Sequence, residues 1–245
     1  MRTIDSSSPR LVWHGADGRI ELSGRVFDNW VAKSSNLLAD ELDAVEGTVI
    51  GFDLPVHWKT LALAFACWQT GGVVLLPEPG KGGLDAPASE GPAWLEDADI
   101  VLSSRDLPEV RPPRLLVGVA LGPLALAWDG SPLPSGAVDY AAEVRAQGDV
   151  HFGGPGQDAD TPLIRSGGSS LTLDGLASAS RSGGPDGEGG AQTVLLEPGS
   201  GLVETLATAC SVWKRDGALV LVEDGVPVTD NLLAGERVTD RPGSA

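Results

Sequence analysis

Gly199-Ser200-Gly201 stands between the apolar run Thr193-Val194-Leu195-Leu196 and an apolar helical pattern that opens at Leu202. A strand, a small-residue turn and a helix in that order can turn free backbone N–H groups toward a phosphate. The turn lacks the rest of a Walker-type loop, and Glu197 beside it would repel an anion, so a ligand-free tight turn competes with the anion-binding reading. Arg165-Ser166-Gly167-Gly168-Ser169-Ser170 is a second run of small residues beside a cation, and it reads as a turn leading to a helix cap at Thr172. His57 follows Pro55 at a helix start, where capping or exposure accounts for it more simply than general-base work. His14 adjoins a hairpin turn and His151 a Gly-rich loop. Cys67 and Cys210 sit inside apolar helical patterns and are expected to be buried reduced thiols. Two distant Cys and three scattered His make no local zinc motif. The sequence holds no Gly-x-Ser-x-Gly elbow, no Gly-x-Gly-x-x-Gly after a strand and no His-Glu-x-x-His.

These groups hang on alternating elements. Leu11-Val12-Trp13 and Ile20-Glu21-Leu22 flank Gly15-Ala16-Asp17-Gly18 as a hairpin, and Ser23 then caps a helix in which Val26 to Leu42 recur at helical spacing. Asp28 and Glu41 are polar-face residues of that helix. Thr48–Phe52 reads as a buried strand, Trp58–Thr70 as a helix apolar nearly all round, Gly71-Gly72 as its stop and Val73–Pro77 as a second buried strand. Strand, helix and strand with short connections make a βαβ unit and a parallel sheet. Further strands are expected at 99–103, 114–119 and 162–165, and a helix over 137–146. Residues 78–94, 148–160 and 181–191 read as Gly-rich loops. Beyond Thr172 the order returns: helix 173–180, strand 193–196, apolar helix 202–213 and strand 218–222, about 145 residues after the first set. The fold class is α/β, layered helix/sheet/helix with mostly parallel strands. The expected division is 1–147 as a first subdomain, 148–230 as a second segment packed on it, and 231–245 as a loosely held polar tail.

With 245 residues, 42% hydrophobic and 21% charged, the chain can bury a substantial core. Its formal charge of −17 arises from 34 acidic against 17 basic residues. Such a surface repels phosphate backbones and anionic lipid, which argues against nucleic-acid and membrane partners. No stretch approaches the roughly 18 to 20 apolar residues of a membrane span, and MRTIDSSSPR has no apolar segment behind its Arg, so a cytoplasmic protein is expected.

Leu22-Ser23 ahead of a helix resembles the "L-[ST]-Y-x-E-L" opening of acyl-adenylate-forming (AMP-binding, acyl-CoA synthetase-like) enzymes. Trp68-Gln69-Thr70-Gly71-Gly72-Val73-Val74-Leu75-Leu76-Pro77 resembles their "L-x-A-G-x-x-x-V-P" segment. Thr193 to Leu202 is similar to their "L-x-x-x-P-L-x-H-x-x-G" strand and turn, retaining Pro198 and Gly201. Order and spacing agree from residue 11 to about 224, with the look of a short actinobacterial relative that covers the front of the family's N-terminal domain.

The resemblance implies where chemistry would sit. The family's phosphate loop ends in Pro-Lys-Gly, and the matching place is Arg165 to Thr172, which is shorter and has no such ending. No Lys lies between Lys81 and Lys214, and Arg165 and Arg181 are the only cations over 146–213. Adenylation must neutralise charge on the transferring phosphates, so the expectation is a catalytically degenerate relative with no catalytic residue and no metal. Arg165, Ser166, Gly167, Gly168, Gly199, Ser200 and Gly201 are the candidates for a residual anion nest. The family's adenine-binding stretch, ribose-binding Asp, metal-binding Glu and C-terminal domain find no counterpart beyond residue 224. Three functions stay open: association with another protein or with itself; a small-molecule module for ATP, AMP, an acyl adenylate or CoA, no cofactor being required; or residual carboxylate adenylation.

Overall fold

The structure is a computed structural model that describes residues 7–78, 93–107, 110, 112–154, 158–179 and 191–242. Lys81, Arg181 and most of the Gly-rich loops expected at 78–94 and 181–191 lie outside the described residues. The chain divides into two compact units, one from Met1–Asp28, Val56–Leu61 and Asp174–Ala245, the other from Asn29–Pro55 and Ala62–Leu173.

The first unit holds a four-stranded sheet of order β10-β11-β1-β2. Strands β1 (Pro9–Gly15) and β2 (Gly18–Ser23) form the expected hairpin, closing at Gly15 and Gly18. β10 (Thr193–Leu196) and β11 (Ala218–Val222) are parallel neighbours, and β11 pairs parallel to β1. Their inward residues, Val12, Leu195, Val220 and Val222, form a buried cluster. The second unit holds a seven-stranded sheet of order β7-β6-β5-β3-β4-β8-β9. Its strands are β3 (Val49–Asp53), β4 (Val73–Leu76), β5 (Ile100–Ser103), β6 (Leu115–Gly118), β7 (Val138–Asp139), β8 (Ile164–Ser166) and β9 (Ser169–Leu171). Only the β8–β9 pair is antiparallel. β3 to β5 are buried almost throughout, as strands covered on both faces must be.

Helix α1 (Gly24–Asn36) starts behind Ser23, whose Oγ accepts the Val26 N–H at 3.3 Å, and its last turn widens into a π-turn at Leu37–Glu41. Helix α2 (Trp58–Gln69) is buried at every position but Phe65 and Gln69, in keeping with its all-round apolar sequence. The expected helix over 137–146 is much shorter. Val138 pairs with Val117 as part of β7, and Asp139 caps a four-residue helix, α3 (Tyr140–Glu143), through Ala142 N–H. The buried Tyr140 hydroxyl, 2.8 Å from Ser34 Oγ, fixes that turn.

The two halves of the chain repeat one order: hairpin, helix, strand, buried helix, strand. In the second half these are β8–β9, α4 (Leu173–Ser178), β10, α5 (Leu202–Lys214) and β11. Each half lends its hairpin to the sheet of the other: β1 joins β11, and β8 joins β4.

The segment after Asp230 is docked, contrary to the loose tail expected from its polarity. Thr229 caps α6 (Asp230–Gly235) through Leu232 N–H, and Val226, Val228, Leu232, Leu233 and Val238 cover the Val12–Val222 cluster. Thr239 and Asp240 bond to the outer edge of β10 through Thr193 O and Leu195 N. Glu236 completes the attachment by accepting from Arg19 Nε at 2.7 Å and Arg19 Nη2 at 3.0 Å, with His14 Nε2 at 2.8 Å. The apolar anchors there are unevenly spaced along a polar stretch, so neither a strand nor a helix period announces them.

Candidate functional site

Arg165, Ser166, Gly167 and Gly168 come together in the β8–β9 hairpin. Ser166 pairs with Ser169, so Gly167-Gly168 is a two-residue turn, with Gly167 at the first central position and φ of +56°. That is the position at which a tight hairpin demands glycine. A Cβ on Gly167 would lie 3.0 Å from Glu78 Cγ and 3.3 Å from Glu78 Cδ, so an acidic side chain is packed against the turn. The Ser166 hydroxyl donates to Pro77 O at 2.7 Å. Arg165 is exposed on the strand next to Leu75. A turn this short offers few convergent N–H groups, and its neighbouring carboxylate opposes an anion there.

Gly199, Ser200 and Gly201 stand at the head of α5 in the other unit. Gly199 takes φ of +84°, and Ser200 closes a turn back onto Glu197 O through its hydroxyl at 2.8 Å and its N–H at 3.2 Å. Gly201 occupies the cap position with φ −70° and ψ 154°, without a side chain to cap the helix. Glu197 is engaged by Arg241 Nε at 2.9 Å and by Arg241 Nη2. The seven candidates therefore fall into two separate turns, one in each unit.

His57 is a cap, as one of its two sequence readings has it, but it is buried rather than exposed. Its Nδ1 accepts the Lys59 N–H at 3.1 Å, and its ring meets Trp13 edge-on at 4.7 Å. Burial, aided by Lys59, pushes its pKa down to about 3, so it is neutral and carries its hydrogen on Nε2. His151 Nδ1 lies 2.7 Å from Asn36 Oδ1, while Asn36 Nδ2 bonds to Gly148 O and Val150 O. Cys67 is fully buried and burial raises its thiol well above the usual range; Cys210 is pushed up to about 11 by the same cause. Such thiols are inert as nucleophiles. Among the described residues no three His, Cys, Asp or Glu side chains are grouped to hold a metal, and no described helix is long and apolar enough to cross a membrane.

One cluster escaped the sequence reading. Asp53, at the end of β3, is 2% exposed and receives Arg105 Nε at 2.7 Å and Nη2 at 2.9 Å. Ser103, at the end of β5, donates toward the same carboxylate at 2.7 Å and accepts the Arg105 N–H at 3.1 Å. The signal in the sequence is an acid or hydroxyl closing an otherwise apolar strand, as in Val49-Ile50-Gly51-Phe52-Asp53.

No family model matches the chain. Its fold does match solved structures. Against an acyl-CoA synthetase from Brucella canis the TM-score is 0.65 at 17% identity, covering 97% of this chain and 45% of that one. Against ATP-bound MatB from Rhodopseudomonas palustris it is 0.66 at 18% identity, covering 98% and 47%. Against the N-terminal domain of FACL13 from Mycobacterium tuberculosis it is 0.65 at 15% identity, covering 96% and 58%. The fold is thus that of the N-terminal part of adenylate-forming enzymes, and the chain spans about half the length of the solved chains it matches. A Mycobacterium tuberculosis protein described as a TIGR03089 family protein is 32% identical over 225 residues, covering 83% of this chain and 85% of that protein. The chain belongs to that family.

Proposed function

We propose that this chain is a catalytically degenerate relative of adenylate-forming enzymes that acts by associating with another protein or with itself. The observation that supports this reading is the β8–β9 turn. Where the family resemblance places a lysine-ended phosphate loop, the chain has a two-residue Gly-Gly turn with Glu78 packed on Gly167 and the Ser166 hydroxyl used by a backbone carbonyl. A transferring phosphate gains charge that must be met by aligned N–H groups and fixed cations, and this turn offers an acid instead. Association draws support from large apolar side chains that stay in solvent: Leu124 is 84%, Leu126 63% and Phe152 91% exposed.

The test is ATP–pyrophosphate exchange over a panel of carboxylic acids, run beside sedimentation analysis of the pure protein and of co-purified partners. No exchange together with a specific partner or a stable oligomer is the expected result. Exchange above background with any acid overturns the degenerate reading, and a strict monomer without partners overturns association. Thermal unfolding with ATP–Mg, AMP, CoA and an acyl-adenylate mimic separates the second reading, a ligand-binding module: a ligand at 100 times its Kd adds about 2.7 kcal/mol of stability.

A further inference from the structure

Beyond β11 the chain folds back over its own sheet. β10 is the outermost strand of the order β10-β11-β1-β2, and Thr193 and Leu195 turn backbone groups away from β11. The segment from Val226 to Asp240 meets both the edge and the face of that sheet. At the edge, Thr239 N–H donates to Thr193 O at 2.8 Å, Thr193 N–H to Thr239 Oγ1 at 3.0 Å and Leu195 N–H to Asp240 O at 3.0 Å. On the face, Val226, Val228, Leu232, Leu233 and Val238 pack over Val12, Leu195, Val220 and Val222, none of which is more than 6% exposed. The covering side chains are only partly buried, and α6 holds no buried residue. One thin layer thus separates this apolar cluster from water, and a layer with few buried contacts opens more readily than the strands beneath it. Gly225, with φ of +86° in the turn that brings Val226 N–H onto Glu223 O, stands at its hinge. Its central tie to the hairpin β1–β2 is Glu236, whose side chain is 11% exposed and which meets Arg19 and His14. Arg241 and Glu197 pair beyond the edge bonds.

We propose that this segment is a releasable cover, latched by Glu236, and that its release lets the β10 edge pair with the β10 edge of a second copy of this chain. The proposal rests on the self-association reading above and assigns it a surface. Thr193-Val194-Leu195-Leu196 carries neither charge nor proline, the devices that keep an open edge from pairing with its like. The outward groups of Thr193 and Leu195 fix the register of an antiparallel pair: Thr193 faces Leu195 of the other copy, and Val194 faces its own counterpart. Glu197 then stands opposite Ala191, so no like charges meet across the pair. Such a contact is isologous and closes as a dimer. While the cover is down, Thr239 and Asp240 occupy the bonds that the second copy would use.

The experiment is hydrogen–deuterium exchange of the full chain, read residue by residue by NMR, beside sedimentation velocity over a range of protein concentrations. In dilute wild-type protein the amides of Leu195, Val238 and Thr239 are expected to exchange with one common opening, ahead of Leu219–Val222 in β11. Glu236→Gln keeps the size of the side chain and removes its charge. It should speed that set by about fivefold or more, leave β11 unchanged and dimerise at lower concentration than wild type. As the variant is concentrated, the Leu195 amide should regain protection while that of Val238 does not. Cover amides that exchange in step with β11, or a Glu236→Gln chain that opens and stays monomeric, overturn the proposal. Oligomers that keep Val238 protected place association on another surface, which defeats the cover and leaves the association reading standing. Absence of any oligomer from both proteins, at every concentration, defeats self-association as well. Should the variant fold poorly, the grouping of amides and the concentration dependence of Leu195 in the wild-type chain decide the matter.

Discussion

The strand–helix–strand units β3–α2–β4 and β10–α5–β11 meet the same geometric demands with different residues. Trp68 and Trp213 occupy matching places, and each donates its indole N–H at 2.8 Å to the carbonyl that enters the hairpin lent by the other half: Leu163 O for Trp68, Arg10 O for Trp213. Each also meets a phenylalanine, Phe65 at 5.1 Å and Phe27 at 4.8 Å. Both helices end in the same six-to-one closure, Gly72 N–H to Cys67 O at 2.8 Å and Gly217 N–H to Val212 O at 2.9 Å. The left-handed residue before it is Gly71 in one unit, with φ +82°, and Asp216 in the other, with φ +59°. Asp216 offsets the strain of that conformation by accepting Arg10 Nη2 at 2.6 Å, while Arg10 Nη1 donates to Gly217 O at 3.0 Å. The comparison teaches that the two units share a backbone arrangement and a tryptophan tied to a carbonyl, while the residue in the left-handed position differs.

The sharpest way to separate the two units is at the glycines after the helices. A Cβ on Gly217 would lie 2.5 Å from Gln192 O and 2.7 Å from Val212 Cγ1, whereas on Gly72 its nearest neighbours are Cys67 Sγ at 3.0 Å and two carbonyls at 3.1 Å. Gly217→Ala is expected to cost about 3 kcal/mol or more and Gly72→Ala about 1–2 kcal/mol, read from urea midpoints. Equal costs would break the distinction.

The tryptophans should behave alike. Trp68→Phe and Trp213→Phe each lose one buried hydrogen bond and part of a ring, for about 2–3 kcal/mol apiece. A difference above about 1 kcal/mol in denaturant unfolding would show that the two ties are alike in geometry only.

The helix heads differ, and pH exposes it. The head of α2 carries buried His57, and that of α5 carries Gly201. Below about pH 6.5 the unfolded chain protonates His57, while the folded chain resists until about pH 3. The unfolded state therefore binds more protons in that window, and stability falls as pH is lowered through it. His57→Asn keeps a capping side chain and should flatten the slope by up to about 1.4 kcal/mol per pH unit between 6.5 and 4.5. Glu236, held below the usual carboxylate range chiefly by Arg19, loses its contribution only at lower pH, as its own folded-state pKa is crossed. An unchanged slope in His57→Asn, measured by urea unfolding at stepped pH, would remove His57 as the cause.

The smallest effect belongs to α5. Gly201 already has cap geometry, and no atom lies within 4 Å of the place a Cβ would take. Gly201→Ser should add a few tenths of a kcal/mol, visible as a slight rise in Tm. A loss would mean that the head of α5 needs the open glycine.

Periodicity and glycine punctuation made the strands, both buried helices and their repetition legible, because apolar runs and helix stops act over a few neighbouring residues. The sequence by itself determined that β3–α2–β4 and β10–α5–β11 exist as parallel units, and that no lysine stands at or near the turn at Gly167-Gly168. The tertiary structure alone decided that the two hairpins are exchanged between sheets, that Glu78 faces Gly167, that the segment after Asp230 is docked by Glu236, and that Asp53 meets Arg105. Each of these joins residues tens to hundreds of positions apart, and such meetings follow from strand order, which local patterns do not encode.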